Sequence, residues 1–249
     1  PQPVSEVVKK DKKSHTVSQL GMRAVSSVIS HSPERIRRGV EDIAIRKILG
    51  SKRYDVKVLS DDSDIQLALD LEQEVWYQEG FGKLDVYDKY LPQSRMFAAF
   101  DGEKCVGVNR LFAGTPELPP FIEAMPIDDP SLRESLIIGS HNQTVEEYGT
   151  AAVERDLRSG RIFLDLCRVA YRDATERGIE HWGIIMEPTR VEKMNRFLGF
   201  TFKQVGPEID YQGGDCAAHI MSFPEVRQHM QSTRPKLYDW FVDQPLDNS

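Results

Sequence analysis

The sequence predicts one α/β domain built on a central, mixed, twisted sheet flanked by helices, with a helical extension at the N-terminus. Three observations carry this. Segments with the twofold period of a strand alternate with segments at helical spacing from Tyr54 to Val205. An Asp101-Gly102 turn joins two apolar strands, Met96 to Phe100 and Cys105 to Phe112, which is a strong short-range hairpin signal. A composition of 40% hydrophobic and 29% charged residues over 249 positions is that of a soluble globular chain long enough to bury a large core.

The elements follow in order. Residues 1–31 are polar, rich in Ser and Lys, and read as a tail or loosely held helix. Ser32-Pro33-Glu34 opens an amphipathic basic helix with Ile36, Val40, Ile43, Ile45 and Ile48 on one side and a glycine stop at Gly50. Residues 1–52 are therefore set apart from a domain over 53–249. Tyr54 to Leu59 is a strand, and Ser60-Asp61-Asp62-Ser63 starts a helix carrying Ile65, Leu67, Ala68, Leu71, Val75 and Trp76. The hairpin comes next. Residues 114–142, with five prolines, are expected to form an irregular excursion without regular structure. Val145 to Val153 is a strand, Ile162 to Arg177 a helix, Ile179 to Met186 a strand, Glu192 to Leu198 a helix and Phe200 to Val205 a strand.

Composition narrows the chemistry. The net charge of −7 hides an asymmetry: residues 1–60 hold 13 Lys plus Arg against 6 Asp plus Glu, so the remainder is strongly acidic. The basic segment is either a solvated face or, through Arg35, Arg37, Arg38, Arg46, Lys47, Lys52 and Arg53, a dock for an acidic protein. No aromatics interleave with these cations, which disfavours nucleic acid. Cys105, Cys167 and Cys216 lack any CxxC spacing and read as reduced packing residues, and the six histidines lack ligand spacing, so no metal is expected. No apolar run approaches the roughly 20 residues of a membrane span, and the N-terminal residues lack a signal-like apolar core, so a cytoplasmic location is expected.

The strand ending at Val153 runs through Glu154-Arg155-Asp156-Leu157-Arg158-Ser159-Gly160-Arg161 into a helix. Unsatisfied N–H groups and the positive end of the dipole at such a start suit a phosphate, and Arg155, Arg158 and Arg161 add charge. From this loop alone, an ordinary strand-to-helix turn explains the same residues. The loop together with the later Leu198-Gly199-Phe200 ending, in this order of elements, resembles the GNAT superfamily of N-acyltransferases over about residues 53–224. Asn195 stands where acetyl-CoA-dependent members place a Tyr general acid, and Phe163 replaces a small residue of the phosphate loop.

Within the superfamily the chain is more similar to the LuxI-like autoinducer synthases and the long-chain N-acyl amino acid synthases. Val75-Trp76, Asp85-x-x-Asp88, Gly107-x-x-Arg110-Leu111 and Glu147, six residues before Val153, carry the resemblance. It implies an aromatic, Trp76, and two acids, Asp85 and Asp88, near the acceptor, with Arg110 pairing with the acids and Glu147 as base or positioning group. Thr150 stands where the lactone synthases commonly have Arg, so the acceptor chemistry differs. The stretch from Gly199 to Gly214 looks more like the amino acid synthases.

Chemistry is consistent with these roles. A thioester is attacked only by a neutral amine, which requires a base; an oxyanion requires a donor, such as a backbone N–H at Ala152-Val153; an amino acid carboxylate requires a cation, for which Arg110 is suited. Blander roles compete: Glu147 as a solvent-facing strand residue, Arg110 in a structural ion pair with Asp85 or Asp88, Trp76 as core. The function implied is acyl transfer from acyl carrier protein to an amino acid or similar small amine, in a bacterial setting. The acyl-phosphopantetheine, held around Arg155, Arg158, Ser159, Gly160 and Arg161, serves as donor, with acyl-CoA as its alternative and no permanently bound cofactor. Contact with a membrane surface is compatible with an acyl substrate. The alternatives are a CoA-dependent N-acetyltransferase and a non-catalytic binder of acyl carrier or acyl lipid.

Overall fold

The computed structural model describes residues 43–80, 89–113, 124–158, 160–211 and 213–244. Most of the expected N-terminal extension, including Arg35, Arg37 and Arg38, lies outside them. From Ala44 the chain forms one compact unit. A helical stretch over 44–49 leads to β1 (Asp55–Val58) and then α1 (Asp62–Gln78). Asp61 caps α1 through its carboxylate, which accepts from the Ser63 and Asp64 N–H groups.

The hairpin consists of β2 (Ser94–Asp101) and β3 (Lys104–Ala113), closed by Gly102-Glu103. Gly102 has φ of 63° as the first central residue, the placement of glycine in a type II′ turn. Next come α2 (Pro130–His141), β4 (Val145–Val153), α3 (Arg161–Glu176), β5 (His181–Met186) and α4 (Pro188–Leu198). The chain closes with β6 (Lys203–Gln204), β7 (Ile209–Tyr211), β8 (Gly214–Ser222), α5 (Phe223–Thr233) and α6 (Pro235–Tyr238).

Two differences from the sequence-based expectation have physical causes. Residues 130–141 form a helix where an irregular excursion is expected. Pro130 occupies the first turn, where a missing N–H costs nothing, and Asp129 accepts from the Ser131 and Leu132 N–H groups. The proline that reads as a breaker is a start signal. The segment after Gly199 yields a two-residue β6, whereas the nine-residue β8, not foreseen, takes the place beside β5.

The sheet order is β1-β2-β3-β4-β5-β8-β6, with β7 pairing on β8. Every pair is antiparallel except β4 and β5, so the sheet is mixed. α3 covers one face, with the core built around Leu166, Ala170, Tyr171, Trp182 and Phe223. Gly107 allows this closeness, because a Cβ there would overlap Ile162 of α3. α1 covers the other face over β2 and β3 through Ala68, Leu71 and Val75, and α2 packs near Val145 and Ala218. Among the described residues no helix is long and apolar enough to cross a membrane.

Candidate active site

β4 forks from its neighbour. It pairs with β5 only at Val145–His181, Glu146–Trp182 and Glu147–Gly183; beyond that point β5 pairs on with β8 while β4 pairs on with β3 alone. Glu147 is the last β4 residue held to both neighbours. It is buried, not the solvent-facing strand residue of the blander reading.

A bulge then changes which face each residue serves. The register steps from Leu111–Tyr148 to Arg110–Thr150, leaving Gly149 as the extra residue. Tyr148 points toward α3, where its hydroxyl donates to Asn109 Oδ1 at 2.5 Å. Val145, and so Glu147 two residues on, share the opposite face. Strict alternation would send Thr150 back toward α3. The bulge restores it to the α1 face, where Ala152 also packs. Gly149 has to lack a side chain, because a Cβ would overlap the ring of Phe112, the partner of Glu147 in register.

Arg110, Glu72 and Thr150 form a buried trio on that face. The Arg110 guanidinium donates through Nη2 to Glu72 Oε2, and the Thr150 hydroxyl donates to Glu72 Oε1. Arg110 is 1% exposed and Glu72 0%. Burial lowers the Arg110 guanidinium to about 10, which leaves it charged at neutral pH. Its Nε and Nη1 atoms are buried without a hydrogen-bond partner among the described residues. Trp76, half-buried, packs against Phe112, which stacks on Tyr90 at 5.1 Å.

The partners that the resemblance implies for Arg110, Asp85 and Asp88, lie outside the described residues, as does Ser159. The acid that meets Arg110 is Glu72, which sequence reasoning overlooked. A signal was present: Ala68, Leu71, Glu72 and Val75 fall at spacings of three and four, so a charge stands on the apolar stripe of α1.

At the far end of β4, Glu154 N donates to Val106 O at 3.0 Å. Ladder alternation then makes Gly107–Val153 a non-hydrogen-bonded pair, so the Val153 N–H and C=O point away from β3, toward the side that β5 has left. Arg158 Nε donates to Val153 O at 3.1 Å, and Arg158 Nη1 meets Glu79 at 2.6 Å. α3 is preceded by Gly160, which has φ of 92° and supplies no side-chain cap, so the first N–H groups of the helix have no intrahelical partner. Arg155 is exposed. Arg161 turns inward, donating to Asp165 at 2.6 Å and to Leu49 O, with Trp240 against its guanidinium. Its side chain is almost wholly buried and fastens α3 to the segment before β1.

Asn195 also has a structural task. Its amide donates to Phe202 O at 2.8 Å and accepts from Phe202 N at 3.0 Å, latching the turn after α4. Among the described residues no group of three or more His, Cys, Asp or Glu side chains could hold a metal ion.

Comparison with solved structures places the fold that holds these residues. FeeM, an N-acyl amino acid synthase from uncultured soil microbes, superposes with a TM-score of 0.56 at 18% identity, covering 72% of this chain and 96% of that one. BjaI, a CoA-dependent acyl-homoserine lactone synthase, gives 0.54 at 19% identity, covering 76% and 89%. The acyl-homoserine lactone synthase LasI gives 0.54 at 13% identity, covering 80% and 100%. These similarities establish the GNAT-like fold. No curated protein sequence matches the chain. The sequence model of the family described as N-acyl amino acid synthase FeeM matches residues 71–224, a stretch that contains the buried trio, the fork at Glu147 and the start of α3. The chain thus belongs to the FeeM family of N-acyl amino acid synthases.

Proposed function

We propose that this N-acyltransferase moves a fatty acyl group from the phosphopantetheine thioester of acyl carrier protein to the amine of an amino acid or similar small amine. The observation that carries the reading is the fork: a buried acid, Glu147, stands where β4 and β5 part, on the face shared with Arg110 and Thr150. Glu147 takes the proton from the acceptor amine, directly or through one water, and the neutral nitrogen attacks the thioester carbon. The N–C bond forms, the C–S bond breaks, and the thiolate leaves to be protonated. The Val153 N–H, turned toward the gap, suits the developing oxyanion. Arg110 holds the acceptor carboxylate with the donors that Glu72 leaves free.

On the donor side, the start of α3 at Gly160 takes the pantetheine phosphate, aided by Arg155, Arg158 and Ser159. Trp76, Asp85 and Asp88 complete the acceptor side. The basic segment of residues 35–53 docks the acidic carrier protein, since charge complementarity raises encounter rates. The reaction places the enzyme with the cytoplasmic pool of carrier protein.

The test is mass spectrometry of lipid extracts from bacteria expressing the chain or its Glu147→Gln form, followed by assays with acyl carrier protein and acyl-CoA donors. New N-acyl species that depend on Glu147, formed faster from the carrier, are expected. Species formed only from acyl-CoA would replace the donor, and bound ligand with no product would leave a binding protein. Changing Arg37, Arg38 and Arg46 to Glu should raise KM for the carrier; an unchanged KM would remove the dock.

A further inference from the structure

We infer that Glu72 is a positioning residue that sets which donors of Arg110 remain for the acceptor carboxylate, and so tunes the preference for carboxylate-bearing acceptors. This rests on the proposed acyl transfer. A carboxylate at 0% exposure on the apolar stripe of a helix is costly to bury, and two directed bonds hold it. Among the described residues its Oε2 takes only Nη2 of Arg110, and its Oε1 is taken by the Thr150 hydroxyl. Nε and Nη1 remain as buried donors without a partner among the described residues, an arrangement that loses free energy until an acceptor atom completes it.

The trio is fastened from three elements: Glu72 from α1, Arg110 from β3 and Thr150 from β4, the last two directly opposite each other at the bulge. Thr150 has no charge of its own, so within the trio Glu72 and Arg110 neutralise one another before the acceptor arrives. Removing the Glu72 charge weakens the hold on Nη2 and lets the guanidinium turn toward another acid, of which Glu147 lies on the same face. Acceptor carboxylate and guanidinium then lose their shared geometry, while the donor site at the start of α3 is untouched.

The measurement is the ratio of kcat/KM for an amino acid to that for its decarboxylated amine, each with the same acyl donor. In the unaltered protein the ratio favours the amino acid. Glu72→Gln is expected to reduce it about tenfold or more, with KM for the acyl donor within twofold. Thr150→Val, which removes one bond and no charge, is expected to reduce it about two- to fivefold, and Thr150→Ser to restore it. A merely structural role would lower both rates together, so a ratio unchanged in the Glu72 and Thr150 variants overturns the inference. If Glu72→Gln does not fold, the two Thr150 variants decide. An unaltered protein that acylates both amines equally also overturns it while acyl transfer stands; one that makes no N-acyl product overturns the acyl transfer itself.

Discussion

The two ends of the site hold their arginines in opposite ways. Arg110 is buried beside Glu72 and Thr150, whereas Arg158, at the loop after β4, is one-third exposed and meets the exposed Glu79. The first is fixed by packing from three elements, and its charge has no solvent to fall back on. The second retains water as an alternative partner, so its geometry can adjust to the phosphate proposed for that loop. A small acceptor that has to be oriented is proposed for the dry end and a long, mobile donor for the wet end, and this difference in solvation suits each task.

Breaking one member of each pair should expose the contrast. Glu72→Ala leaves a buried guanidinium uncompensated and should cost ~3–5 kcal/mol in urea unfolding, whereas Arg158→Ala should cost no more than ~1 kcal/mol. Equal losses would abolish the distinction. Replacing both buried charges, Glu72→Leu with Arg110→Met, should recover most of that stability yet leave the acceptor preference lost, since apolar groups fill the volume but orient nothing.

Gly149→Ala tests the bulge that brings Glu147 and Thr150 to one face. Its new methyl displaces the Phe112 ring, with an expected cost of ~1–3 kcal/mol and a larger loss of activity than of folded protein. Wild-type activity and melting temperature would show that Phe112 yields freely.

The smallest effect expected is on pH dependence. Burial lowers the imidazoles of His181 and His219 below their usual 6.5, against the opposing pull of Glu180 and Glu225 on His181 and of the Ala217 carbonyl on His219. The unfolded chain therefore binds more protons in this window. Stability should be full above pH 6.5 and decline as pH falls through the folded values. Thermal melts between pH 7.5 and 5 check this, and His219→Gln should flatten the decline; a melting temperature that rises on acidification would contradict it.

Much of the frame was legible along the chain. The Asp-Gly hairpin, the capped α1 and the strand from Val145 to Val153 each follow from local preferences that operate over a few residues. α2 was hidden because Pro130 counts as a breaker unless its place in the first turn is known. β8 was hidden because its place beside β5 joins segments far apart in sequence. At the site, Glu147 and Arg110 could be singled out by their motifs, but Glu72 could not be matched to Arg110 from spacing alone.

Sequence alone determined the alternation of elements, the glycine-led turn of the hairpin and the basic-to-acidic division of charge, because backbone sterics, periodicity and composition are local properties. Tertiary structure decided which acid meets Arg110, that Arg161 faces inward, and that a bulge at Gly149 puts Glu147 and Thr150 on one face. Those outcomes depend on register and burial, where a one-residue step reverses a side chain and the loss of water turns an ordinary charge into one that must be paired.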